Sequence, residues 1–85
     1  MEKRNANIKI KETSDIQLAS VLHCEGYPFE GVNKSNPKKV LFIFQDIEGI
    51  EQTAQAFLSD QIKLPPRKLF DSYNLLKRLV FENSF

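Results

Sequence analysis

Lys38-Lys39-Val40-Leu41-Phe42-Ile43-Phe44-Gln45 is the stretch on which the fold turns. Val40 to Phe44 are β-branched, aromatic or leucine, the composition that fits a pleated strand. Val40, Phe42 and Phe44 project to one face of such a strand, and Leu41 and Ile43 to the other. A strand apolar on both sides reads as covered on both sides, and therefore as the centre of a sheet. Upstream, Lys34-Ser35-Asn36-Pro37 is a turn by composition. Before it, Tyr27 to Val32 alternates weakly, and Pro28 confines that strand to an edge or its own first residues. Asn7-Ile8-Lys9-Ile10-Lys11 alternates with period two and predicts another short strand. An apolar strand between two edges gives the spatial order second, third, first.

Three helices complete the pattern. Thr13-Ser14-Asp15 opens the first, with Ser14 as the N-cap, Gln17 three residues on as in a capping box, and Asp15 at the positive dipole end. Leu18, Val21 and Leu22 form its apolar stripe, and Gly26 stops it. Asp46 caps the second, where Ile50, Thr53, Ala54, Phe57 and Leu58 fall at i, i+3, i+4, i+7 and i+8, with Ile47 one turn earlier. Pro65-Pro66 then breaks the chain and pre-organises a last helix running to about Glu82. Leu69, Phe70, Tyr73, Leu76 and Val80 lie along one side of it. The expected fold is α+β: a small, mainly antiparallel sheet, in chain order β-α-β-β-α-α, with three helices packed on it. Residues 1–6 read as a flexible N-terminus and 7–85 as a single domain.

With 85 residues the chain has room for one domain, and such a chain buries only about 60–65% of its unfolded surface. Seven Phe and two Tyr, without Trp, supply much of the core. The 41% hydrophobic content is too high for a disordered chain. The apolar runs are far too short to span a bilayer, which needs about 20 residues. No export signal is visible and Cys24 is the only cysteine, so a cytoplasmic, disulfide-free domain is expected.

Few residues offer chemistry. His23 and Cys24 are the only His and Cys, and as helix neighbours they point about 100° apart, a poor nucleophile–base pair. Structural zinc wants four such ligands. Asp46, Glu48 and Glu51 cluster at a helix start, where capping explains them. The three glycines, Gly26, Gly31 and Gly49, are scattered and form no phosphate loop. The expectation is no enzyme, no catalytic residue, no cofactor, no metal and no small-molecule substrate.

Twelve Lys+Arg against eleven Asp+Glu give a net charge of +1, which conceals segregation. Residues 1–33 carry −1, while 34–44 carry +3 from Lys34, Lys38 and Lys39. Residues 45–62 carry −4 from Asp46, Glu48, Glu51 and Asp60. Residues 63–85 carry +3, with Lys63, Arg67, Lys68, Lys77 and Arg78 against Asp71 and Glu82. Lys34, Lys38, Lys39, Arg67, Lys68, Lys77 and Arg78 are thus candidate nucleic-acid contacts if the two basic blocks share a face. The plainer reading is a solvated helix with Arg67–Asp71 and Arg78–Glu82 pairs at i, i+4, and lysines that keep an edge strand from pairing with other chains.

Apolar surplus points to a different surface. Leu75, Leu79 and Phe81 widen the last helix's stripe beyond what one packing face needs, and Phe85 follows. Leu75, Leu79 and Phe81 are therefore the candidate protein interface.

Thr13-Ser14-Asp15-Ile16-Gln17-Leu18-Ala19, then Gly26-Tyr27, Glu30-Gly31-Val32, the Val40–Phe44 strand, and Leu69-Phe70-Asp71 with Leu75-Leu76-Lys77 together resemble a small family of uncharacterised domains of bacteria, archaea and their phages or mobile elements. The similarity spans roughly residues 9–81. Its motifs are structural, and the family carries no activity or catalytic residue to transfer. The resemblance implies a phage or mobile-element context, which favours DNA-linked or host-inhibitory roles. The functional expectation is a non-catalytic binding module acting through protein–protein contact with a partner or a second copy of itself, away from membranes. The alternatives are a nucleic-acid-binding accessory protein and a small viral inhibitor of a host enzyme, its acidic helix imitating phosphates.

Overall fold

The computed structural model describes residues 9–82. The expected N-terminus 1–6, the first two residues of the expected strand at 7–11, and Phe85 lie outside the described residues. The elements follow as β1 (Ile10–Thr13), α1 (Ile16–Glu25), β2 (Phe29–Asn33), β3 (Leu41–Gln45), α2 (Ile50–Leu58) and α3 (Pro66–Phe81). The sheet is three-stranded and antiparallel in the order β1-β3-β2, as the composition of β3 predicted. Both neighbours run antiparallel to β3, so β1 and β2 run parallel to each other with α1 as their crossover. This is a split β-α-β unit with β3 inserted.

The register sorts the two faces. Phe44 stands between Lys11 and Phe29, and Phe42 between Thr13 and Val32. Phe42 and Phe44 are fully buried, and the Phe29 ring stacks at a tilt on Phe44, 5.1 Å between centroids. Leu41, Ile43 and Gln45 face the other way beside Ile10 and Glu12. That outer face corrects the expectation of a strand covered on both sides: Leu41 and Ile43 are half-buried, Ile10 is 52% exposed, and no helix of the described residues lies over them. The helices all pack on the Phe42–Phe44 side, because α3 docks on α1 rather than crossing the sheet. The shortest dimension, 20 Å, fits one sheet and one helical layer.

Helix α1 is the centre of that layer. Five consecutive residues, Leu18 to Leu22, are buried, so most of its circumference is covered. Its N-cap is Asp15 rather than Ser14: the Asp15 carboxylate accepts from the Gln17 and Leu18 N–H groups at 2.9 and 3.2 Å. Thr13 Oγ1 accepts from the Asp15 N–H at 3.0 Å and sets that register. Gly26 ends the helix in the left-handed conformation, as expected. Strand β2 starts two residues later than Tyr27, after Pro28, lies at a sheet edge, and bulges between Phe29 and Gly31. Strand β3 starts at Leu41, because residues 34–40 form a structured loop.

Helix α2 is not capped by Asp46. Its N-cap is Gly49 at φ +95°, and no side chain caps it. Ile50 and Ala54, one turn apart, are its buried contacts, while Ile47 and Leu58 are 43% and 69% exposed. Helix α3 begins at Pro66 as the sequence predicted, and Leu76 and Ser72 are its buried contacts. Phe70, expected on the core side, is 63% exposed.

Gly49 generates a stability prediction. A Cβ there would sit 2.9 Å from the Tyr27 hydroxyl, which is hydrogen-bonded to Thr53 Oγ1 at 2.9 Å. At Gly26, equally left-handed at φ +96°, a Cβ meets nothing within 4 Å. Gly26→Ala should cost about 1–2 kcal/mol from backbone strain alone. Gly49→Ala should cost more in urea denaturation, and the excess should shrink in a Tyr27→Phe background. Equal costs at both glycines would show that Tyr27 yields freely.

Candidate functional site

The polar groups nearest to catalytic geometry come first. His23 Nδ1 lies 2.8 Å from Ser72 Oγ, tying α1 to α3, and the His23 ring packs edge-on against Phe29 at 6.0 Å. Ser72 is only 6% exposed, and neither residue lines the grooves described below. The pair has the distance of a nucleophile and base, with Ser72 buried and His23 half-buried. Its physical role is to satisfy two polar groups between packed helices. Cys24 is half-buried beside it. Among the described residues no group of three or more His, Cys, Asp or Glu comes together that could hold a metal ion. No helix of the described residues is long and apolar enough to cross a membrane.

The candidate interface of Leu75, Leu79 and Phe81 does not form one surface. Leu79 packs against the core cluster and Leu75 is half-buried, whereas Phe81 is 73% exposed. Leu75 and Leu79, four residues apart, share one side of α3, whereas Phe81 lies about 160° around the helix from Leu79.

The seven candidate basic contacts divide. Lys38, Lys39 and Lys77 line one groove of about 490 Å³ between the β2–β3 loop, the entry to α1 and the C-terminal half of α3. Its floor and walls include Val40, Phe42 and Val80, and Tyr73 and Phe81 flank Lys77. None of the described residues lining it is acidic. Lys34 and the exposed Arg67, Lys68 and Arg78 do not line it. Arg67 and Lys68 lie some three turns away along α3, and Arg78 turns about 100° from Lys77. The i, i+4 ion pairs expected on α3 are absent among the described residues, whose ion pair, Lys11–Glu51 at 3.0 Å, joins β1 to α2 instead.

Local structure fixes the lysines' backbone. Asn33 Oδ1 accepts from the Ser35 N–H at 2.9 Å and from Ser35 Oγ at 2.7 Å. Asn36 Oδ1 accepts from the Lys38 N–H at 2.9 Å, and the Asn36 carbonyl from the Lys39 N–H at 3.0 Å. These side-chain turns compete with the strand ladder and hold residues 34–40 out of the sheet. Across the groove, the Lys77 ammonium lies 5.7 Å from the centroid of the Tyr73 ring, within cation–π range. Tyr73, Lys77 and Phe81 stand at i, i+4 and i+8, one row of the helix surface. By composition the three residues divide into core, nucleic-acid contact and protein interface; the four-residue spacing is the signal that joins them.

A second groove of about 320 Å³ lies between α1, α2 and α3, where Val21, Phe57, Leu69 and Phe70 meet. Tyr73 forms the ridge shared by both grooves. The acidic segment does not form one compact block: Asp46 and Glu48 precede α2, Asp60 follows it, and Glu51 is engaged by Lys11. Comparisons with protein-family models, curated proteins and solved structures returned no match.

Lys11 ties β1 to α2 across 40 residues of sequence. Its hydrogen bond and then its charge hold the Glu51 carboxyl below the usual glutamate value. A carboxylate lowered in the folded state stabilises above its unfolded pKa, and that contribution is lost as pH falls through the folded one. Replacing Lys11 with Gln should therefore flatten the acid limb of stability against pH while changing little below it. Glu51 is exposed, so the effect is small. Denaturant midpoints across the acid range measure it, and an unchanged limb would show the pair is energetically silent.

Proposed function

We propose that the chain is a non-catalytic binding module whose ligand is an anionic chain held in the groove of Lys38, Lys39 and Lys77. One observation carries this reading: two basic segments far apart in sequence supply three lysines to one groove, with no carboxylate among its described lining. Three like charges facing one concavity repel one another, and an anion relieves that repulsion. Replacing all three with Gln should lower the salt concentration at which the protein leaves a heparin column. Replacing Lys34, Arg67 and Lys68 with Gln changes net charge equally away from the groove and should have a clearly smaller effect. Equal shifts in the two variants would reduce the reading to net charge.

Self-association is a second reading, and a different observation favours it. The outer face of the sheet presents Leu41 and Ile43 around β3 with Ile10 beside them, uncovered by any helix of the described residues. Two such faces can pack as a sandwich about 10 Å apart. Sedimentation at micromolar concentration should then show a dimer that Ile43→Lys dissociates. A monomer at every concentration would leave the face simply solvated.

A further inference from the structure

The geometry points to a single-stranded nucleic acid as the ligand of this groove, its phosphates at Lys38, Lys39 and Lys77 and its bases stacked on Phe81 and the outer face of the Tyr73 row. The inference rests on the anion-binding reading of the same groove and goes further by naming what the aromatic rings are for. Phe81 is 73% exposed at the groove's rim. A phenyl ring held in water at the rim of a groove lined by exposed lysines stabilises nothing in the free protein, yet it is a ready platform for a π-face. The row Tyr73–Lys77–Phe81 alternates ring, cation and ring at about 6 Å of helix rise per step. A single strand alternates in the same sense, carrying an anion and a base at every nucleotide.

Two features select a single strand among anionic chains. In a duplex the base faces are already stacked on one another and only their edges reach the grooves, so Phe81 would face nothing. The described lining is also poor in groups that read base edges: apart from the lysines, its polar side chains are the hydroxyls of Ser14 and Tyr73. Cations with aromatic faces and few edge readers are the composition of sequence-tolerant single-strand binding. An acidic protein segment would satisfy the lysines but leave the exposed ring without a matching face.

The absence of Trp gives a direct readout. The chain has two tyrosines, Tyr27 and Tyr73, and Tyr27→Phe leaves Tyr73 as the sole emitter. In that background, titration with oligothymidylate should quench tyrosine emission. Its affinity should exceed that for a duplex of equal length, for inorganic polyphosphate and for polyglutamate. Three neutralised phosphates give a slope of log affinity against log salt of about −2, which Lys38→Gln, Lys39→Gln and Lys77→Gln together should abolish. Phe81→Ala, and Phe81→Leu with its apolar bulk kept, should each weaken oligothymidylate about 5- to 100-fold. Both should leave polyphosphate binding unchanged, because Phe81 is exposed and carries no charge. Polyphosphate binding as tightly as oligothymidylate, with Phe81 variants silent, would overturn the stacking inference and leave the anion-binding reading intact. Preference for the duplex or for polyglutamate would overturn it in favour of another ligand. Binding of none of the four by protein that retains its helical circular dichroism would overturn both.

Discussion

Phe42 and Phe44, two residues apart on the central strand, commit one face of the sheet to the interior. Every helix must then pack on that side or leave the rings in water. Full burial of a Phe side chain is worth roughly 1.5–3 kcal/mol, a large share of the stability of a domain this small. The chain meets the constraint by placing α1, the crossover of the split β-α-β unit, against the two rings and stacking α2 and α3 around it. That arrangement explains why five consecutive residues of α1 are buried, which no single packing face would require. It also explains why Ser20 and Ser72 are tolerated inside. Ser20 Oγ donates to the Ile16 carbonyl at 2.7 Å, and Ser72 meets His23, so neither is left unsatisfied.

A one-sided sheet divides the surface into two kinds. The outer face keeps Leu41 and Ile43 at half exposure, with the Gln45–Glu30 hydrogen bond of 2.6 Å crossing its rim. The helical side instead has seams, where helices of different lengths meet each other and the loops. α3, with 16 residues, outruns α1, with 10, and its last turns extend beside the β2–β3 loop. The groove is the seam left by that mismatch. Its lysines come from the loop and its rings from the overhanging helix, so its composition follows from how the layer was filled.

The strand order and the helix bounded by Pro66 were legible because each rests on a strong local signal: a run of β-formers and a fixed proline φ. The caps were less so. Ser14 and Asp15 are both good N-caps one residue apart, and the choice fell to the Thr13 hydroxyl that ties down the Asp15 backbone. At α2 the chain enters through a left-handed Gly49, so Asp46 lies outside the first turn. The covered outer face was misread because apolar residues on both sides of β3 show only that both sides tolerate burial, while the choice of face depends on where α3 docks. Site residues show the same division. The sequence identified seven basic candidates, but which three converge depended on contacts between residues about 38 positions apart.

Electrostatics decides how far the groove depends on those three charges. A helix N-terminus can attract anions, but at the start of α1 the Asp15 carboxylate already accepts from the Gln17 and Leu18 N–H groups. The helix end presented to the groove by α3 is C-terminal, where the dipole is negative and works against a phosphate. The backbone therefore contributes little attraction, and the lysine side chains must supply it. The −4 of residues 45–62 does not cancel them locally. No residue of 45–62 belongs to the groove's described lining. A net charge of +1 thus describes the whole chain but not the groove, whose described lining carries three cations and no carboxylate. Cations without help from helix dipoles would hold an anion by Coulomb attraction and counterion release alone, so the proposed binding in this groove would weaken steeply with salt.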